Sequence, residues 1–465
     1  MRVIKRKRAF VMAKELKKDY AAMGWWESYQ REFMTEYRQS VEEGLDIESY
    51  REFFEISSKL PEGEVREKVS EAIFHLIYNA PIKEGYQYNE PSEYAEILKL
   101  REKFKLPKKK LGKRELEKKI HGAWMGRVAG CLLGKPVEGM RTYHLHKILK
   151  GSDNFPMHRY INKSDLGEDF INDPNNKWLV KNPWADTVSY MPFDDDTNYT
   201  VMGQKIIDWF GKDFNSYQVA DIWLKLQPKE SYCTAERVAY MNFLKGYKPP
   251  YSAVYKNPYR EWIGAQIRGD YFGYVNPGKP EAAAKMAFND ASISHIKNGI
   301  YGEMYASAMI AAAAVCDTCE EIVLAGLGEI PKTSRLYESV MSVVDMYRQG
   351  KSSQECYDYI HSKWDEKNGH DWCHTISNAM IVAYALLWGG NDFGKSICMS
   401  VEIGFDTDCN GATVGSILGM KNGIDAIDQV WQKPINNTIE TTLIGVGNVK
   451  ITDMVKRTME HIFKK

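Results

Sequence analysis

Residues 121–139 read HGAWMGRVAGCLLGKPVEG, and Gly126, Gly130 and Gly134 recur there at every fourth position. On a helix that spacing lines the glycines along one face, and a face without side chains lets a second helix approach closely. The stretch predicts a helix packed tightly on a partner, and the glycines are read as packing. Outward from it the pattern stays helical. TNYTVMGQKIIDWFG (197–211) sets Met202, Ile206 and Phe210 four apart, and EMYASAMIAAAAV (303–315) and ISNAMIVAYALLW (376–388) are further helical stretches. Strand signals are sparse and no internal repeat is visible, so the expected fold class is all-α.

The first hundred residues carry charged and aromatic helical segments such as YREFFEISSKL (50–60) and REKVSEAIFHLIYNAP (66–81), and end in the basic stretch FKLPKKKLGKRELEKK (104–119). With Pro107 and Gly112 inside it, that stretch reads as a solvated linker. The shift predicts an N-terminal helical extension over residues 1–115 and a second domain over 116–465. Residues 151–193, rich in Asn, Asp, Pro and aromatics without periodicity, form a long loop of the kind that walls a cleft.

In a chain of 465 residues, 44% are hydrophobic and 27% charged, with 62 basic and 62 acidic residues. That balance argues against disorder and against a strongly basic nucleic-acid surface. The opening MRVIKRKRAFVMAKEL has the basic start of a signal peptide without its apolar core, and no run reaches the roughly 18 apolar residues of a membrane span. The expectation is a cytoplasmic protein without a membrane partner. Its eight cysteines are scattered rather than framed, so reduced thiols are expected. Cys316 and Cys319 make a C-x-x-C pair and Cys373 adjoins His374, but no second pair at zinc spacing accompanies them.

Two acid clusters point to chemistry. Asp194, Asp195, Asp196 and Thr197 stand just before a periodic apolar run, hence in the first turn of a helix, where carboxylates suit the dipole. Three adjacent aspartates repel one another and an N-cap needs only one, so a neutralising cation explains the cluster better than capping does. In GFDTDCNGATVGSILGM (404–420), Asp406 and Asp408 flank Thr407 at another helix entrance. Oxygen-rich sites of this type suit Mg²⁺ or Mn²⁺, and two clusters predict a pair of divalent cations. Neither cluster has the spacing of a calcium-binding EF-hand loop.

Taken in order, Gly130 to Glu138, Asp194 to Thr197 and Gly404 to Cys409 resemble the three motifs of the ADP-ribosylglycohydrolase family. Those motifs are a Gly-rich segment ending in Pro-x-Glu, a Thr-Asp-Asp-Thr and a late Gly-Asp-x-Asp-Thr. The resemblance spans roughly residues 118–460 and leaves residues 1–115 outside. It implies an orthogonal multi-helix bundle with a dinuclear magnesium site on the floor of a cleft that binds the ribose of an ADP-ribosyl group. By that resemblance Asp195, Asp196, Asp406 and Asp408 are metal ligands. Asp194 and Cys409 occupy metal-facing positions where the family has Thr; Asp194 can replace a neutral oxygen, whereas the Cys409 sulfur is a poor partner for hard Mg²⁺ and is read as lining the site.

Glu138 matches the family glutamate near the scissile bond, as a base activating water, and Asp195 and Asp408 complete the expected catalytic set. In IGAQIRGDYFGY (263–274), Gly264 and Arg268 resemble a segment that contacts the nucleotide, although Ile263 replaces its Asn, so only Gly264 is carried over as substrate-binding. His295 matches a Thr-His pair of the family and is read as structural. Trp184, Tyr190, Phe193, Tyr271 and Tyr274 supply aromatics near the expected cleft and are read mainly as core. The implied reaction is hydrolysis of the bond joining ADP-ribose to a modified protein, nucleic acid or small molecule, nucleic acid entering only as such a substrate. The rival readings are a non-catalytic ADP-ribose binder or crystallin-like structural protein, and a dinuclear metal phosphoesterase.

Overall fold

The computed structural model describes residues 18–463; the opening MRVIKRKRAFVMAKEL segment lies outside them. Among the described residues the architecture is all-α, as expected, with one antiparallel pair of two-residue strands, Thr438–Ile439 and Val449–Lys450. No helix among them is long and apolar enough to cross a membrane.

The glycine-rich stretch lies in the helix Lys113–Gly134, which packs along the helix Thr407–Asn422. A Cβ on Gly122 would stand 2.3 Å from the Gly419 carbonyl oxygen, on Gly126 2.1 Å from that of Gly415, and on Gly130 1.9 Å from that of Gly411. The partners step down one helix as they step up the other, so the helices run antiparallel with backbones in contact. At the far end the Thr407 hydroxyl donates to the Gly134 carbonyl at 2.9 Å. This contact brings the C-terminal end of the first helix, and the turn leading to Glu138, against the N-terminal end of the second, where Asp406 and Asp408 reside.

Arg127, on the same helix, is wholly buried and ties in a third element. Its guanidinium pairs with Asp196 at 3.0 Å and Asp270 at 2.9 Å, and donates to the Thr200 hydroxyl at 2.6 Å. The helix Asp195–Phe210 is thereby fixed with its first turn beside Glu138. Removing one partner of such a buried pair leaves an uncompensated charge at a cost of about 3–5 kcal/mol. The helices Lys297–Ala313 and Thr375–Trp388 are buried almost throughout, as their all-round apolar sequences require.

Residues 18–112 form short helices with a small apolar cluster of Phe33, Ile47, Phe54, Ile73 and Ile77. Ile97 joins the main core, with Tyr94, Phe104, Leu106 and Leu111 packed against it, whereas the part before residue 91 attaches largely through polar contacts. Arg260 pairs with Glu36 at 2.7 Å and Glu43 at 2.5 Å, Gln39 donates to Glu261 at 2.7 Å, and Arg335 bridges Glu90 and Glu261 at 2.9 and 2.8 Å. The segment 151–193 is broken into short turns of helix rather than one structureless loop. Its Trp178 and Asn182 stand beside Lys135 and Glu138 in a shallow cavity, so part of it does wall the site.

Candidate metal centre

Asp194 is the N-cap of the helix Asp195–Phe210, its Oδ1 accepting the Asp196 amide at 2.9 Å while its Oδ2 accepts from Lys135 Nζ at 2.7 Å. Asp196 spends Oδ1 on Arg127 and keeps a buried Oδ2 without a partner. Asp406 stands at the entrance of the helix Thr407–Asn422, yet its side chain makes no capping bond. It follows Gly404 and Phe405, both left-handed at φ +82° and +60°. A buried phenylalanine in that conformation is uncommon and costly, the kind of backbone strain that gathers at functional sites.

The acids from the two clusters converge. Asp194, Asp195, Asp196 and Asp408 offer oxygens all within 4.8 Å of one another; so do Glu138, Asp406 and Asp408; and Asp196, Asp408 and the Cys409 sulfur make a third such set. Asp408 belongs to every one of them. Asp196 Oδ2, Asp406 Oδ1 and Asp408 Oδ1 are buried and unpartnered, and buried carboxylate oxygens are normally paired or bound to a cation. The residues present therefore fit a site for hard divalent cations, with Asp408 shared between two sets of ligands.

The same crowding shows in protonation. Burial, then the Asp194 and Asp408 carboxylates, push Asp195 up to about 8. Burial and Asp194 push Asp408 up to about 6. Burial and Asp408 hold Asp406 well above the carboxylate range, and Asp408 ahead of burial does the same to Glu138. Asp194 is the exception: burial would raise it, but the Lys135 ammonium overrides that and holds it low. In the metal-free protein the raised groups favour the folded state below their ordinary values near 4 and withdraw that stability as pH climbs through about 6 and about 8. Cations compete with those protons. The gain in Tm on adding Mg²⁺ is expected to be small at pH 5 and to grow steadily to pH 8; an equal gain at both ends, read by calorimetry, would dissociate cation binding from this cluster.

A cavity of about 440 Å³ opens onto these acids, with Glu138, Asp195, Asp406, Asp408 and Cys409 in its lining, a size in the range of small-molecule sites. Gly264 lines it too, and its bare Cα makes room for Glu236: a Cβ there would lie 2.0 Å from the Glu236 carboxylate. Arg268 holds that carboxylate at 2.7 Å from beneath and is itself buried among Glu236, Asp290 and Glu303. His295 is buried away from the cavity, its Nδ1 on the Ser294 hydroxyl at 2.8 Å, and burial keeps it neutral. Of the five aromatics noted from the sequence, Phe193 reaches the cavity; Trp184, Tyr271 and Tyr274 are core and Tyr190 is part-exposed. The aromatics that line it with Phe193 are Trp25, Trp26, Trp262 and Trp372. Sequence reasoning passed over these, and Lys135, Arg127 and Glu236, because nothing in their neighbouring residues shows which partners they meet in the fold.

Another set, Glu42, His370 and His374, has metal-like spacing. His370 Nδ1 accepts the Trp262 indole N–H at 3.1 Å and His374 Nδ1 accepts the Ile376 amide at 3.2 Å. With Nδ1 accepting, each ring has its Nε2 proton facing Glu42 and offers a cation no lone pair. The group is a hydrogen-bonded anchor for the helix Phe33–Glu42. Among the cysteines, Cys316 and Cys319 are buried and unpaired.

A family model described as ADP-ribosylglycohydrolase matches residues 113–461. No curated protein matches the chain. Among solved structures, one described as "ADP-ribosylglycohydrolase-related protein complex" aligns with a TM-score of 0.48 and 15% identity, covering 75% of this chain and 98% of that one.

Proposed function

Because the chain belongs to the ADP-ribosylglycohydrolase family, we propose that it hydrolyses the glycosidic bond between ADP-ribose and an acceptor, with two divalent cations, Mg²⁺ or Mn²⁺, at the acid centre. The observation that carries this reading is Asp408, common to each set of converging ligands with Glu138 beside it. One cation fits Asp194, Asp195, Asp196 and Asp408, and the other Asp406 and Asp408, with Glu138 beside it and Cys409 lining the site. When bound, the cations supply positive charge against the substrate diol and the developing charge of the reaction.

Glu138 is the base. Once Asp406 and Asp408 held a cation, Glu138 would be a carboxylate at the edge of the cavity. It takes a proton from water as the water oxygen bonds to the anomeric carbon; the bond to the acceptor breaks, and the proton returns to the departing acceptor. The transition state has oxocarbenium character, for which surrounding carboxylates are suited. Arg127 and Lys135 act as positioning residues, holding Asp196 and Asp194 within ligand distance of Asp408. A cavity glutamate that forms no ion pair among the described residues favours hydrolysis over a purely binding or crystallin-like role.

Glu138→Gln keeps shape and removes the base. Its kcat on arginine- or serine-linked ADP-ribosyl peptides is expected to fall roughly 10²–10⁴-fold while the Kd for ADP-ribose moves little. Turnover within twofold of the parent would remove Glu138 from the mechanism.

A further inference from the structure

The family match begins at residue 113, yet the cavity is lined by two residues that precede it by almost ninety positions, Trp25 and Trp26. They sit in a turn held at both ends. The Arg31 guanidinium donates to the carbonyls of Tyr20 at 3.0 Å, Met23 at 3.1 Å and Gly24 at 3.3 Å, closing the turn on itself. Glu27 then pins it to the body through Arg237 and Lys229, each at 2.7 Å.

Trp26 packs against the small apolar cluster that contains Trp262, and its φ of +63° is a conformation aromatic residues rarely adopt. Trp25 stands edge-on to it, ring centroids 6.2 Å apart and planes at 83°, and remains 78% exposed. Exposed tryptophan is costly to leave in water, and here it stands in the lining of a cavity instead of being folded under. The helix Phe33–Glu42 supports Trp262 as well: Glu42 accepts from His370 at 3.0 Å, and His370 accepts from the Trp262 indole.

We propose that residues 20–42 are a specificity element of the site, with Trp25 the specificity-determining residue: its free face stacks on the adenine base of the ADP-ribosyl group while the acids hold the ribose. The inference rests on the ADP-ribose reading above and adds that the N-terminal extension completes the binding cavity. An indole gives a flat π-face at little conformational cost, and a base stacked on such a face raises affinity roughly tenfold or more.

The test uses the full chain with Mg²⁺, and compares the parent with Trp25→Ala and Trp25→Phe by calorimetric titration with ADP-ribose and with ribose 5-phosphate, which lacks the base. Trp25→Ala is expected to weaken ADP-ribose roughly tenfold, to leave ribose 5-phosphate unchanged, and to leave Mg²⁺ binding intact; Trp25→Phe restores most of the loss. ADP-ribose binding equal to the parent's in Trp25→Ala overturns the stacking role alone. Equal weakening of both ligands overturns it too, since the contact is then not with the base. A parent protein that binds Mg²⁺ but no ADP-ribose overturns the underlying reading, and the stacking proposal with it.

Discussion

Asp408→Ala is expected to remove Mg²⁺ binding and turnover together. Asp408 is the one side chain within ligand distance of every other acid in the centre, so its loss breaks both sets of ligands at once. On the proposed mechanism the several kcal/mol that cation charge would contribute to the transition state then disappears, a fall in kcat/KM of at least roughly a thousandfold. Stability separates this outcome from misfolding. In the metal-free protein Asp408 is a buried acid whose proton is held up to about 6 by burial and Asp194, so at pH 8 its removal relieves repulsion. The metal-free Tm of the variant should equal or exceed that of the parent, while the Tm gain with Mg²⁺ vanishes. A variant that melts lower without metal and still gains from Mg²⁺ would assign Asp408 a structural role instead.

Gly130→Val tests the scaffold. A Cβ at Gly130 would lie 1.9 Å from the Gly411 carbonyl oxygen, against backbone that cannot rotate aside. The two helices must separate, which opens the contacts at Gly126 and Gly134 as well. Overpacking of this kind costs about 3 kcal/mol or more, visible as a lower denaturant midpoint. Since the same helix pair carries Glu138 and Asp408, any variant that still folds should also lose Mg²⁺ affinity. Gly151→Ala, where an added Cβ meets nothing within 4 Å, is the control and should stay within about 0.5 kcal/mol of the parent.

What could be read from the sequence was what local periodicity encodes. Glycines four apart announced a close helix contact, and acids ahead of apolar runs announced two helix entrances. That these entrances meet was not local information: it follows from Gly122, Gly126 and Gly130 matching Gly419, Gly415 and Gly411 in reverse order nearly three hundred residues away. Arg127 lies inside the glycine stretch, yet nothing in its neighbours reveals that it is the buried bracket between Asp196 and Asp270. Lys135 reads as an ordinary helix-end lysine, although it neutralises Asp194. The aromatic wall was the least legible part. The adjacent pair Trp25 and Trp26, Trp262 and Trp372 come from three separate segments, and which tryptophans face a cavity is settled by tertiary packing alone.

The most direct test of the dinuclear ADP-ribose centre is thermal unfolding of the full chain with ADP-ribose, with and without Mg²⁺. A ligand that binds the native state must raise its melting temperature. The account predicts a rise with Mg²⁺ alone and a further rise with ADP-ribose that appears only when Mg²⁺ is present. A shift with ADP-ribose that is indifferent to Mg²⁺, or no shift at saturating ligand, would contradict it.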